Sequence, residues 1–181
     1  MKKTKTVLFI IILMCVNLSS CGYTSRSLIK ERFNSIYIKE IKNAIEITEE
    51  SDFSARYKVN WPKIENDIKR ELIARFITDG TLKVSEEQTA DVILEAEVIE
   101  FRRDPLRYST NDEVEEYRLN IAVNLVLWDA KTQTQLWQEK HFTGDTTYFT
   151  RGPLAKTEDS AVNEAIKDLC RRIVERVVEQ W

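Results

Sequence analysis

The sequence predicts an α+β domain, a two-layer sandwich in which two helices pack on one face of a four-stranded, mixed and mostly antiparallel sheet. Three observations carry this prediction. Residues 117–128, YRLNIAVNLVLW, alternate, with Tyr117, Leu119, Ile121, Val123, Leu125 and Leu127 on one side and Arg118, Asn120, Ala122 and Asn124 on the other. That period of two marks a strand with one buried face. Two other segments repeat apolar residues at helical spacing. The order strand, helix, three strands, helix supplies two apolar stripes, enough to cover one face of a small sheet.

Taken in order, the chain opens with KKTK at 2–5 and an unbroken apolar run, VLFIIILMCV, at 7–16. Ten residues are too few to cross a bilayer, which takes roughly 20 at ~1.5 Å per helical residue. A basic start, a short apolar run and small residues before a break describe a signal peptide, residues 1–20. The order Leu18-Ser19-Ser20-Cys21 is similar to the bacterial lipobox, in which the cysteine is acylated and becomes the mature amino terminus. Gly22, rather than Asp, follows it, as in lipoproteins sorted to the outer membrane. An ordinary signal peptide with an incidental cysteine is the competing reading. Several acyl chains at ~0.8 kcal/mol per buried CH₂ hold a protein persistently on a membrane where one does not.

Removing residues 1–20 takes three of the 27 basic residues and none of the 30 acidic ones, so the mature chain carries 24 against 30, a net charge of −6. Nothing in that balance points to nucleic acid. Cys15 leaves with the signal and Cys21 is acylated, so Cys170 has no partner for an internal disulfide.

Residues 21–32 read as a polar, lipidated tether, and 33–181 as one domain. SIYIKEI at 35–41 is a short strand, and the acidic EITEESD at 46–52 a loop. From Trp61 the period changes: Ile64, Ile68, Leu72 and Phe76 form a stripe that Ile73 and Ile77 widen, with Asn60 as N-cap, Pro62 in the first turn and Gly80 as the stop. TLKV at 81–84 is a brief extension. ADVILEAEVIEF at 90–101 sets Val92, Leu94, Ala96 and Val98 on one face; QLWQEKHFTG at 135–144 is a weaker strand, joined to its predecessor by the short polar link DAKTQT. The last helix, 158–181, has Val162, Ile166, Leu169, Ile173 and Val177 as its stripe. Acids at its start and Arg171, Arg172 and Arg176 towards its end suit the helix dipole. The short first strand and the strand at 90–101, joined through a helix, are expected to be parallel, and the last three strands to form an antiparallel meander.

Catalytic motifs are missing. There is one histidine, His141, and no HExxH, GxSxG, Walker loop, GxGxxG or CxxC. The sequence therefore predicts no enzyme, cofactor or metal centre, and His141 reads as a partly exposed structural residue. The acidic NDEVEE at 111–116 lacks the alternating oxygen donors of a calcium loop, and Cys170 reads as a small buried hydrophobe. What remains is FRRDPLRYSTNDEVEEY, 101–117, read as a basic and aromatic loop. Arg102, Arg103 and Arg107 cluster around Pro105, and guanidinium forks suit phosphate oxygens. They are the candidate contacts for an anion. An ordinary charged strand end is the plainer reading.

An ordered series of segments adds a resemblance. CGY at the acylated end, SIYI, FITDGTLKV, ADVILEAEV, DPLRYSTND, EYRLNIAVNLVLWD, FTGDTTY and the closing AVNEAIKDLCRRIVERVVEQW together resemble the lipopolysaccharide-assembly lipoprotein LptE family over nearly all of the mature domain. The resemblance implies a non-enzymatic outer-membrane lipoprotein. Such a protein is the plug and assembly partner of the LptD β-barrel, with which it passes lipopolysaccharide to the outer leaflet. The net charge of −6 works against long-range attraction of phosphates, which favours the barrel as the main partner. The alternative is a lipoprotein module of another envelope complex, an ABC exporter accessory or a cell-wall synthase activator.

Overall fold

The computed structural model describes Ile29, residues 32–45 and residues 61–179. The signal segment, Cys21, most of the 21–32 tether, the acidic 46–52 stretch and Asn60 lie outside the described residues.

The elements are β1 (Ser35–Ile38), β2 (Lys42–Asn43), α1 (Ile64–Asp79), β3 (Lys83–Val84), a 3₁₀ turn (Glu87–Thr89), β4 (Val92–Tyr108), β5 (Val114–Asp129), β6 (Thr134–Phe149) and α2 (Glu158–Val178). The sheet runs β3-β1-β4-β5-β6, and β2 also pairs with β4. β1 is parallel to both β3 and β4, while β4, β5 and β6 form an antiparallel meander. The α+β sandwich and the parallel first pair are as expected, but among the described residues the sheet has six strands instead of four. The two extra strands are two residues each, too short to leave a period in the sequence. After β1, Lys39 donates its N–H to the Leu94 carbonyl; β2 then resumes the pairing along β4, and Ala44 just beyond it donates to the Val98 carbonyl.

The long strands explain why their periodicity fades. In β4 the buried face holds Val92, Leu94, Ala96 and Val98, then shifts across a bulge to Phe101. In β6 the register slips between the pairs Leu125–Glu139 and Val123–Phe142. His141 sits in that slip at φ 54°, its backbone N–H donating to Asn124 Oδ1 at 3.2 Å. Each bulge adds one residue and moves the apolar set to the opposite parity.

α1 buries Ile64, Ile68, Leu72 and Phe76. Its N-cap position is Lys63, in the left-handed conformation and with no side-chain cap hydrogen bond, and Pro62 lies in the turn that precedes the helix rather than in its first turn. Gly80 ends it at φ 71°, donating to the Phe76 carbonyl. Ile77 does not widen the stripe; it is 67% exposed. α2 is capped by Thr157, whose side chain accepts from the Ser160 N–H. The helices cover one sheet face, and the core between them includes Leu119, Ile121, Val123, Leu125 and Leu127, all fully buried. The opposite face mixes half-buried Ile93, Val126 and Trp128 with Glu95, Glu97, Asn120 and Asn124.

The start of the domain is pinned to one end of this sheet. Ile29 and Phe33 are buried. Asp91 accepts hydrogen bonds from the Asn34 N–H and the Ser35 hydroxyl, both at 3.0 Å, and pairs with Lys131 at 2.8 Å. Lys131 and the backbone of Asn34 hold the Asp91 carboxyl down at about 2, from an ordinary 3.8. A depressed carboxyl stabilises the fold above its unfolded pKa and loses that contribution as pH falls towards its folded one. Asp91 is thus expected to contribute about 2 kcal/mol at neutral pH, fading between pH ~4 and ~2. Unfolding of Asp91→Asn and the unchanged protein as a function of pH checks this: the gap in stability should close on acidification.

Candidate functional site

The stretch 101–117 is not a loop. Residues 101–108 complete β4 and 114–117 begin β5, leaving a turn at 109–113. The ladder continues through Arg102–Asn120, Arg103–Leu119, Asp104–Arg118 and Pro105–Tyr117, and slips between Pro105 and Arg107 and again between Arg107 and Tyr108. A proline has no N–H to give, and a slip in the ladder beside it accommodates that loss. Charge density and Pro105 thus imitated a loop in what is a strand end. In the turn, Ser109 Oγ accepts from the N–H groups of Asn111 and Glu113. Arg151 pairs with Glu113.

The three arginines share this strand end but serve different surroundings. Arg103, on the helix-facing side after the bulge, lies with its guanidinium 4.9 Å from the Tyr117 ring centre. It donates to Glu158 at 2.7 Å, at the first residue of α2. Tyr117 stacks on Tyr148 at 5.8 Å. Burial opposes the Arg103 charge, but Glu158 and the Tyr148 hydroxyl outweigh it, so its pKa is raised. Burial, then Glu158, pushes the Tyr148 phenol up as well. Arg102 pairs with Asp104 at 2.9 Å and Glu100 at 3.4 Å. Arg107 lies 3.6 Å from Glu116 and over the Phe149 ring at 5.5 Å. The strand end therefore carries three guanidinium groups, each already beside a carboxylate. Around them Leu106, Tyr108 and Leu154 are exposed.

This arrangement predicts different costs for similar substitutions. Arg103→Ala removes a ring contact and strands Glu158, and should cost about 1–2 kcal/mol. Arg102→Ala breaks only exposed pairs and should cost under ~0.5 kcal/mol. Denaturant midpoints of the two variants test the contrast; equal losses would sink it. Glu158 and Tyr148 were not among the site residues read from sequence. Tyr117 had its core-facing parity, but Glu158 lies 55 positions from Arg103, beyond any local signal.

His141 is exposed on its bulge. Cys170 is buried, and burial pushes its thiol well up, as suits a packing residue. Among the described residues no group of three or more His, Cys, Asp or Glu is arranged to hold a metal ion, and no helix is long and apolar enough to cross a membrane.

The family model for LptE, lipopolysaccharide assembly, matches residues 33–181. Among solved structures, a hypothetical protein from Chlamydia trachomatis is similar with a TM-score of 0.50 at 15% identity, over 80% of this chain and 95% of that one. A minor lipoprotein from Acinetobacter baumannii is similar with a TM-score of 0.49 at 14% identity, over 81% of this chain and 93% of that one. At such identities the Chlamydia likeness speaks for the fold alone. No match was found among curated proteins.

Proposed function

The chain belongs to the LptE lipopolysaccharide-assembly family, and from that premise we propose that it is a non-enzymatic lipoprotein of the outer membrane, acylated at Cys21, that plugs and helps assemble an LptD-type β-barrel. The carrying observation is that the family match spans the packed domain from Phe33 onwards. The charge pattern supports the reading. The lumen of an outer-membrane barrel is polar, and a plug suits it when its surface is charged but internally compensated, as at Arg102, Arg103 and Arg107. Direct contact with lipopolysaccharide phosphates falls to Arg102 and Arg107, with side chains 44% and 60% exposed. They meet a phosphate by exchanging one carboxylate neighbour for it. Arg103 is committed between Glu158 and Tyr117.

The test is affinity purification of the tagged, acylated protein from outer membranes in mild detergent, with mass spectrometry of what accompanies it. A large β-barrel in near-equal amount is the expected result. An ABC exporter or a cell-wall synthase in its place would overturn the barrel reading. Cys21→Ser should leave the domain folded but released from the membrane or unprocessed; stable membrane retention of that variant would contradict acylation at Cys21.

A further inference from the structure

We propose that the end of the sheet that carries Arg32 is the membrane-proximal end of this protein, facing the lipid headgroups, and that the 109–113 turn is its distal end. The inference rests on acylation at Cys21 but not on any barrel.

The two ends are set by the ladder. Val92 pairs with Asp129 at one end and Tyr108 with Val114 at the other. The rise between them, at ~3.3 Å per residue, separates the ends by roughly 50 Å. The chain enters at the first of these ends. Ile29 is 3% exposed in the core and accepts the Phe33 N–H at 2.7 Å. Arg32 lies 3.9 Å from Asp129, and Asn34 is held by Asp91. Eight peptide steps separate Cys21 from this fixed point, and a fully extended chain covers at most ~3.5 Å per step, about 28 Å. An acylated Cys21 therefore cannot let the domain stand with its distal turn on the anchored leaflet and the Arg32 end away from it.

The chemistry of the proximal end agrees. The Arg32 and Lys131 side chains there are 68% and 76% exposed, within reach of lipid phosphates while their carboxylate neighbours hold them in place. Glu86 and Glu87 lie exposed near the same end. The acyl chains supply the attachment, and the basic groups bias the orientation.

The test uses the full acylated protein in phosphatidylethanolamine and phosphatidylglycerol vesicles containing a headgroup nitroxide lipid. One fluorophore is placed through Thr132→Cys, in the proximal β5–β6 turn, or through Asn111→Cys, in the distal turn. Cys170 is buried and Cys21 is blocked by its acyl chains, so labelling goes to the introduced thiol. Quenching several-fold stronger at position 132 than at 111 is expected. Equal quenching, from a domain lying flat, or stronger quenching at 111 would overturn the orientation while leaving acylation intact. Failure of the unlabelled protein to bind vesicles would instead remove the Cys21 reading and the orientation with it.

Discussion

Gly144→Ala is expected to destabilise the domain by about 3 kcal/mol, at the upper end of what overpacking costs. Gly144 lies on β6 where α2 crosses closest. A Cβ built there would stand 2.4 Å from both Cα and Cβ of Leu169 and 2.5 Å from its backbone nitrogen. Two of these are backbone atoms and Cβ is fixed rigidly to them, so no flexible side-chain end can swing away. Nor is the helix free to lift. Arg172 donates to the Thr143 carbonyl at 2.9 Å, and Asp168 accepts the Asp145 N–H at 3.2 Å. The two hydrogen bonds clamp α2 on either side of Gly144 and also satisfy outward backbone groups of an edge strand. Urea unfolding followed by tryptophan fluorescence measures the loss. A change below ~0.5 kcal/mol would mean that α2 does not make this approach.

The second large effect is at Phe101. Its side chain is fully buried, pairs in register with Ile121 and meets the Trp61 ring edge to face at 6.4 Å. It is the first core residue after the β4 bulge, from which the strand continues towards the arginines. Phe101→Ala should cost about 3–5 kcal/mol from lost burial and the cavity left behind. Beyond the global loss, amide hydrogen exchange in residues 102–118 should quicken more than in 92–98, because the substitution removes the core packing next to the strand ends that carry the arginines. Uniform quickening along β4 would count against that role.

The legible parts were those whose signal is local. The alternation of 117–128 and the four-residue spacing of Ile64, Ile68, Leu72 and Phe76 depend only on strand and helix geometry, and the structure keeps both. Gly80, read as the stop of the first helix, ends it with a short-range hydrogen bond to the Phe76 carbonyl. The weaker reading of 135–144 has a physical cause: the bulge at His141 reverses the parity, so Trp137 before it and Phe142 and Gly144 after it face the same layer. The same device hid the end of β4, where the pattern passes from Val98 to Phe101 and Arg103.

By itself the sequence determined the α+β class, the helix stripes, the parity of the central strand and the basic character of 101–107, because each follows from the spacing of neighbours along one chain. Only the tertiary structure decided what the arginines do. Glu158 reaches Arg103 from the start of α2, Glu116 and Phe149 reach Arg107 from two other strands, and Leu169 closes over Gly144. These partners are brought together by sheet register and helix docking. A charge read in sequence as free becomes, through partners distant in the chain, part of a compensated surface.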